Sequence, residues 1–310
     1  MSLKQAWVCF WLLALVWGSS SLFIRLGVNE VLPMQVVFIR TAIASVGLLL
    51  TMAWRKTPLP LNKQTIIDLL FLGLANTVLP FALITWGNSR IDSGLATIWQ
   101  GTSALFSLVI AHFLFTDERI TTRKALGLLL GFGGMLVLGS RSLMHVGVAV
   151  DLWGQLAIVG ASLCYAVGGI YSRKAMQVRI EPLAVSAGSM TVAAIASGLI
   201  VYIAPFFGGQ SPVALSALSG MAISALLILG LLHTFLAYAV FYAVIVVLGA
   251  TRTSMVTYIT PVIAIILGVV FLNEILDARL ILGMVMILSG VSIATLSLHF
   301  GKQAKAEVSA

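Results

Sequence analysis

The chain has 310 residues and a formal charge of +8, yet 60% of it is apolar and only 9% is charged, against roughly 45–50% and 25% in an ordinary soluble domain. That balance excludes a soluble catalytic or nucleic-acid-binding domain and describes a chain dissolved in a bilayer. There is no phosphate-cradling loop, no metal-ligand cluster and no nucleophile beside a partner, so the sequence points to neither an ATPase nor a cofactor enzyme, and no cofactor is expected.

Ten apolar runs of about 20 residues, enough to cross a membrane, lie at roughly 6–24, 35–54, 65–86, 92–115, 122–140, 152–172, 182–204, 218–246, 250–272 and 279–299. They predict an all-α membrane protein of ten transmembrane helices with short linkers. Of the 18 Lys and Arg, thirteen fall on the side of the N-terminus and five, Arg25, Arg40, Arg90, Arg141 and Arg279, on the other. Cytoplasmic loops retain cations, so both termini are expected in the cytoplasm. The first run is long for a signal-peptide core, and the stretch that ends it has a counterpart in mid-chain, so it reads as a retained span. Cys9 and Cys164 fall inside spans and form neither a disulfide framework nor a metal site.

In chain order, span 1 closes on Trp17-Gly18-Ser19-Ser20-Ser21-Leu22-Phe23-Ile24-Arg25, and span 6 closes on Tyr165-Ala166-Val167-Gly168-Gly169-Ile170-Tyr171-Ser172-Arg173. In both, an aromatic residue is followed by small residues that let another backbone approach, then by an arginine eight positions on. Pro33 opens span 2 and Pro182 opens span 7. Leu72-Gly73-Leu74 with Asn76-Thr77 and Phe81 in span 3 matches Leu229-Gly230-Leu231 with His233-Thr234 and Tyr238 in span 8. Span 4 ends on Phe115-Thr116-Asp117-Glu118 and span 9 on Phe271-Leu272-Asn273-Glu274. Span 5 carries Gly127 and Gly134 where span 10 carries Gly283 and Gly290. The halves, 1–145 and 146–310 with its short cytoplasmic tail, each hold an odd number of spans, so the second enters the membrane inverted. Inverted repeats suit alternating access, with a substrate site at their interface near the midplane.

Trp17-Gly18-Ser19-Ser20, Phe38-Ile39-Arg40, the closing Glu118 and Glu274, and the glycine-rich fifth span of each half resemble the EamA-type members of the drug/metabolite transporter superfamily. The resemblance covers nearly the whole chain. It implies a multi-pass transporter of the cytoplasmic (inner) membrane, in a family whose members are mostly exporters of amino acids and other small metabolites. The chain departs from the repeat at Pro261, whose counterpart is Leu105.

Polar side chains in a bilayer tend to face the bundle interior or a wet cavity. On that ground Trp17, Asn76, Trp99, Gln100, Tyr165, His233, Tyr238 and Tyr258 are the candidate substrate-binding residues. Asn76, Gln100 and His233 are chosen because their amide or imidazole groups are harder to satisfy on their own helix than the hydroxyls of Thr253, Thr257 and Thr260. Trp7, Trp54 and Trp153 lie near span ends and read as interfacial belt residues. Arg40 is either a bidentate partner for a carboxylate or phosphate or a structural post. Pro80 and Pro261 are either hinges or static kinks.

All ten acidic residues fall in loops or at span ends, against a proton-coupled pump for cationic drugs; His233 is the titratable group in mid-span. The functional reading is therefore a secondary transporter exporting amino acids or similar metabolites. An exchanger of anions such as nucleotide sugars or sugar phosphates, and a membrane enzyme or scaffold, are the alternatives. Expected partners are a small-molecule substrate and membrane lipid, with no nucleic acid. Gly127 and Gly131 are expected to pack span 5 on span 10 within one chain, which favours a monomer.

Overall fold

The computed structural model describes residues 1–88, 90–91, 93–116, 119–144, 152–178, 180–272 and 278–296. Among them every regular element is helical: α1 (Leu3–Val28), α2 (Pro33–Arg55), α3 (Lys63–Gly73), α4 (Leu79–Asn88), α5 (Ser93–Leu114), α6 (Thr122–Met144), α7 (Leu152–Val178), α8 (Pro182–Ile203), α9 (Gly220–Gly230), α10 (Ala237–Leu248), α11 (Ala250–Ser254), α12 (Val256–Leu272) and α13 (Ala278–Leu296). Among the described residues, five continuous stretches are long and apolar enough to cross a membrane: Pro33–Arg55, Lys63–Gly87, Leu152–Met176, Pro182–Phe207 and Gly220–Leu248. Glu118 and Glu274 lie outside the described residues.

Local chemistry sets the helix ends. Pro33 and Pro182 occupy the first turns of α2 and α8, where a missing N–H is harmless. The Asn62 side chain accepts from the Thr65 N–H and caps α3, and Ser219 does the same for α9 through Ala222. Gly249, at φ 84°, is the single residue between α10 and α11. That positive φ is open to glycine and strained for other residues.

Two of the long stretches widen midway into π-helical turns, Leu74–Val78 between α3 and α4 and Leu231–Leu236 between α9 and α10. They carry the matched pairs Asn76-Thr77 and His233-Thr234. A π turn leaves carbonyls without their usual donor, and side chains fill them at the same register in both. Thr77 Oγ1 approaches the Leu72 carbonyl at 3.5 Å and Thr234 Oγ1 donates to the Leu229 carbonyl at 2.8 Å. Pro80 lies just beyond the first widened turn, but the second has no proline, so proline is not what makes these turns. In α12 the carbonyl that Pro261 deprives of a donor, that of Thr257, accepts the Thr260 hydroxyl at 2.9 Å.

Packing partners come in exchanged pairs. Helix α1 lies against α9, α10 and α12, while α7 lies against α3, α4 and α5. Helix α2 meets α9 and the second π turn; α8 meets α3 and the first. Two further large contacts, α2 with α8 and α6 with α13, join like to like. In the last of these, glycines bring two backbones together: a Cβ on Gly127 would stand 2.6 Å from the Gly290 carbonyl oxygen. Large apolar side chains, among them Leu50 and Phe113, cover the outside, as does Trp153. Trp54 is 81% exposed as a belt residue should be, whereas Trp7 is partly buried against Phe10 at 5.3 Å.

At one end of the bundle, the Glu30 carboxylate accepts from the Ser219 amide at 2.8 Å and from its hydroxyl, tying the α1–α2 turn to the cap of α9. The Gln35 amide pairs with both backbone groups of Val213. The Ser219 bonds hold the Glu30 pKa below the usual carboxylate range. A carboxylate depressed in the folded state stabilises above its ordinary pKa, and the gain fades as pH falls through the lowered value. Once corrected for the intrinsic pH dependence of amide exchange, the protection factors at residues 213–222 should therefore fall on acidification in the parent and not over the same pH step in Glu30→Gln.

Candidate functional site

A cavity of about 160 Å³ opens between α1, α2, α4, α5, α7, α10, α11 and α12. Its aromatic wall reflects the sequence repeat. Trp17 of α1 and its counterpart Tyr165 of α7 both line it, as do Phe81 of α4 and its counterpart Tyr238 of α10. Trp17 stands 5.3 Å from Phe241 and 6.2 Å from Tyr238, ring centre to ring centre, and its indole N–H donates to the His233 carbonyl at 3.1 Å. The small residues after Trp17 do the work expected of them: Gly18 lines the cavity and lets α12 approach at Ile263 and Thr260.

Arg40 projects into this space, 7% exposed. Its Nε donates to Thr234 Oγ1 at 3.0 Å, and its guanidinium lies 4.0 Å above the Phe81 ring. The Thr234 hydroxyl itself donates to the Leu229 carbonyl, so the second π turn holds the arginine through one hydroxyl. Among the described residues no carboxylate pairs with this guanidinium, and Arg40 is the one charged group in the lining. A desolvated cation held by a ring face and a hydroxyl is a strong site for an anion.

Much of the remaining polar lining is a ladder of hydroxyls with one amide. Gln100, Ser103 and Ser107 come from α5, and Thr253, Ser254, Thr257 and Thr260 from α11 and α12. Thr253, Ser254, Thr257 and Thr260 donate to carbonyls of their own chain three or four residues back, at 2.8–2.9 Å. Their protons are used, so what they offer the cavity is acceptor lone pairs.

The structure brings Trp17, Arg40, Gln100, Tyr165, Tyr238 and Pro261 to one cavity and leaves Asn76, Trp99, His233, Tyr258 and Pro80 outside its lining. Asn76 donates to the Tyr242 hydroxyl at 3.1 Å and packs on Gly168. Trp99 donates to Gln155 at 3.0 Å between α5 and α7. Tyr258 is fully buried against Gly131 and donates to the Leu128 carbonyl at 3.3 Å. The His233 ring is closed on both sides, with Nδ1 donating to the Ile228 carbonyl at 3.2 Å and Nε2 lying 3.0 Å from Ser19 Oγ. Sequence reasoning passed over Ser103 and Ser107, although Gln100, Ser103 and Ser107 share a helix face by their spacing. It also passed over the role of Phe81 beneath Arg40.

Long apolar helices around a polar, aromatic-walled cavity are the build of a membrane transporter. The chain belongs to the EamA-like transporter family, whose sequence model matches residues 5–140 and again 152–296. It is 24% identical over 281 residues to the uncharacterized transporter YoaV of Bacillus subtilis, covering 91% of this chain and 93% of that one. It is 28% identical over 263 residues to the uncharacterized inner membrane transporter YedA of Escherichia coli K12, covering 83% and 79%. It is 26% identical over 303 residues to a probable amino-acid metabolite efflux pump of the same organism, covering 95% and 96%. A crystal structure of a protein 19% identical superposes with a TM-score of 0.79 over 95% of this chain and 98% of the other, a likeness of fold.

Proposed function

We propose that this membrane protein is a secondary transporter that exports amino acids or their derivatives, unchanged, across the cytoplasmic membrane by alternating access. The observation that carries the reading is Arg40, a buried cation without a carboxylate partner among the described residues, facing a cavity whose other walls are aromatic rings and hydroxyl acceptors. Such a cavity can take a carboxylate at one end and hydrogen-bond donors at the other. The name of the Escherichia coli relative, a probable amino-acid metabolite efflux pump, supports the same substrate class.

The exchanged packing pairs, the matched π turns and the double match to one family model support ten spans arranged as two inverted halves, 1–145 and 146–310. The distribution of Lys and Arg supports cytoplasmic termini. A site for nucleotide sugars or sugar phosphates would need more cationic donors than the single arginine in this lining.

The test is uptake of a labelled panel of amino acids and amino-acid derivatives into proteoliposomes, with the recovered label analysed for chemical change. The expected result is saturable flux of unaltered solute, reduced in Gln100→Ala and unchanged in Trp99→Phe, whose ring lies outside the lining. Absence of saturable flux for the whole panel from well-folded protein would contradict the reading.

A further inference from the structure

The charge balance of the cavity selects among carboxylates, an inference that rests on the transport reading above. In alternating access the substrate passes through an occluded state from which bulk water is excluded. An uncompensated charge that is tolerable in a wet cavity is penalised there. The lining holds Arg40 and, among its described residues, no carboxylate, and Trp17, Phe81, Tyr165, Tyr238 and Phe241 make its walls apolar. A monoanion brings the occluded cavity to neutrality. A zwitterionic amino acid leaves it at +1, because the hydroxyls, the Gln100 amide and the rings that its ammonium group can meet are all neutral, and a cation brings it to +2.

The hydroxyl ladder completes the match. Thr257 and Thr260 have spent their protons on backbone carbonyls and present acceptors, Thr257 sharing its oxygen with Ser103 Oγ at 3.3 Å and Thr260 having, among the described residues, no second partner in the ladder. They can receive the hydroxyl of a 2-hydroxy acid or the amide N–H of an N-acylated amino acid, and neither donor adds charge. Arg40 supplies the complementary donors: its Nε is committed to Thr234 and its stacking on Phe81 fixes the plane of the fork, leaving the Nη edge as the part that can address a carboxylate.

We infer that the preferred solutes are monoanionic carboxylates carrying a neutral hydrogen-bond donor, namely 2-hydroxy acids or N-acyl amino acids, ahead of free zwitterionic amino acids. Arg40 is the residue that sets this order.

The experiment uses three probes with one carbon skeleton that differ in charge: 2-hydroxyisocaproate, leucine and leucinamide. Their binding to the full chain in nanodiscs is measured by calorimetry, and their flux in proteoliposomes. The hydroxy acid should bind at least roughly tenfold tighter than leucine, a factor well within the penalty for enclosing one uncompensated ammonium, and leucinamide should not bind. Arg40→Gln should reverse the order, because the lining is then neutral and the hydroxy acid leaves the occluded cavity at −1 while leucine leaves it at zero. Arg40→Lys, which keeps the charge and loses the fork, should weaken the hydroxy acid while leaving it ahead. Leucine binding as tightly as the hydroxy acid in the parent, or an unchanged order in Arg40→Gln, would overturn the inference and leave transport standing. Folded parent that neither binds nor moves any of the three, nor any member of the broader panel, would overturn the transport reading together with it.

Discussion

Gly169→Leu is expected to stop transport while leaving the bundle intact. Gly169 lines the cavity, and a Cβ added there would meet nothing within 4 Å, so the new side chain starts out into open space. Leucine is also a better helix former than glycine, so α7 is not weakened. The substituent would occupy cavity volume beside Tyr165, one turn away on α7, that the solute needs. Saturable flux should fall by at least roughly tenfold, which corresponds to about 1.4 kcal/mol of lost affinity. The melting temperature in detergent should match that of the parent. Gly169→Ala, with one added carbon, should fall between the two. Full flux in Gly169→Leu would mean that solute does not pass this wall.

The largest loss of stability is expected from Gly127→Leu. Helices α6 and α13 approach so closely that a Cβ at position 127 would lie 2.6 Å from the Gly290 carbonyl oxygen and 2.7 Å from the Ala294 amide nitrogen. Both neighbours are backbone, so no rotamer change can relieve the clash and the helices must part. Overpacking in cores costs about 1–3 kcal/mol and occasionally more, and contact with backbone places this variant at or above the top of that range. Thermal unfolding followed by size-exclusion chromatography should show a marked drop in the recovered monodisperse fraction. Gly160→Ala is the control, since its added Cβ would meet only Leu83 Cδ1 at the ordinary distance of 3.7 Å. Parent-like stability of Gly127→Leu would contradict the packing described for α6 and α13.

What the sequence makes legible follows from how each signal arises. Apolar runs are read by length alone, and the helices start and stop within a few residues of them, helped by prolines and capping residues at the boundaries. The repeat is equally visible, because matching positions must meet matching surroundings: Trp17 with Tyr165 and Phe81 with Tyr238 all reach one cavity. The polar inventory is less legible. Asn76 and His233 look unsatisfied on a regular α-helix, but the π turns they occupy reorganise the local hydrogen bonding. His233 pairs with a carbonyl five residues back, and both residues find partners on neighbouring helices, Tyr242 and Ser19. Trp99 and Tyr258 could not be separated from Trp17 and Tyr238 by residue type. What separates them is partner geometry, since Gln155 and the Leu128 carbonyl hold them between helices. In Arg40 the two sequence readings meet in one side chain, whose Nε is bound structurally while its guanidinium faces the cavity.

The central claim is that this cavity carries the solute. Its most direct test is Gly169→Cys in a chain whose native thiols are removed by Cys9→Ser and Cys164→Ser, treated with a water-soluble methanethiosulfonate in proteoliposomes. Modification that blocks flux, and that slows when transported solute is present, is the result expected. Complete modification with flux at the unmodified level would contradict it.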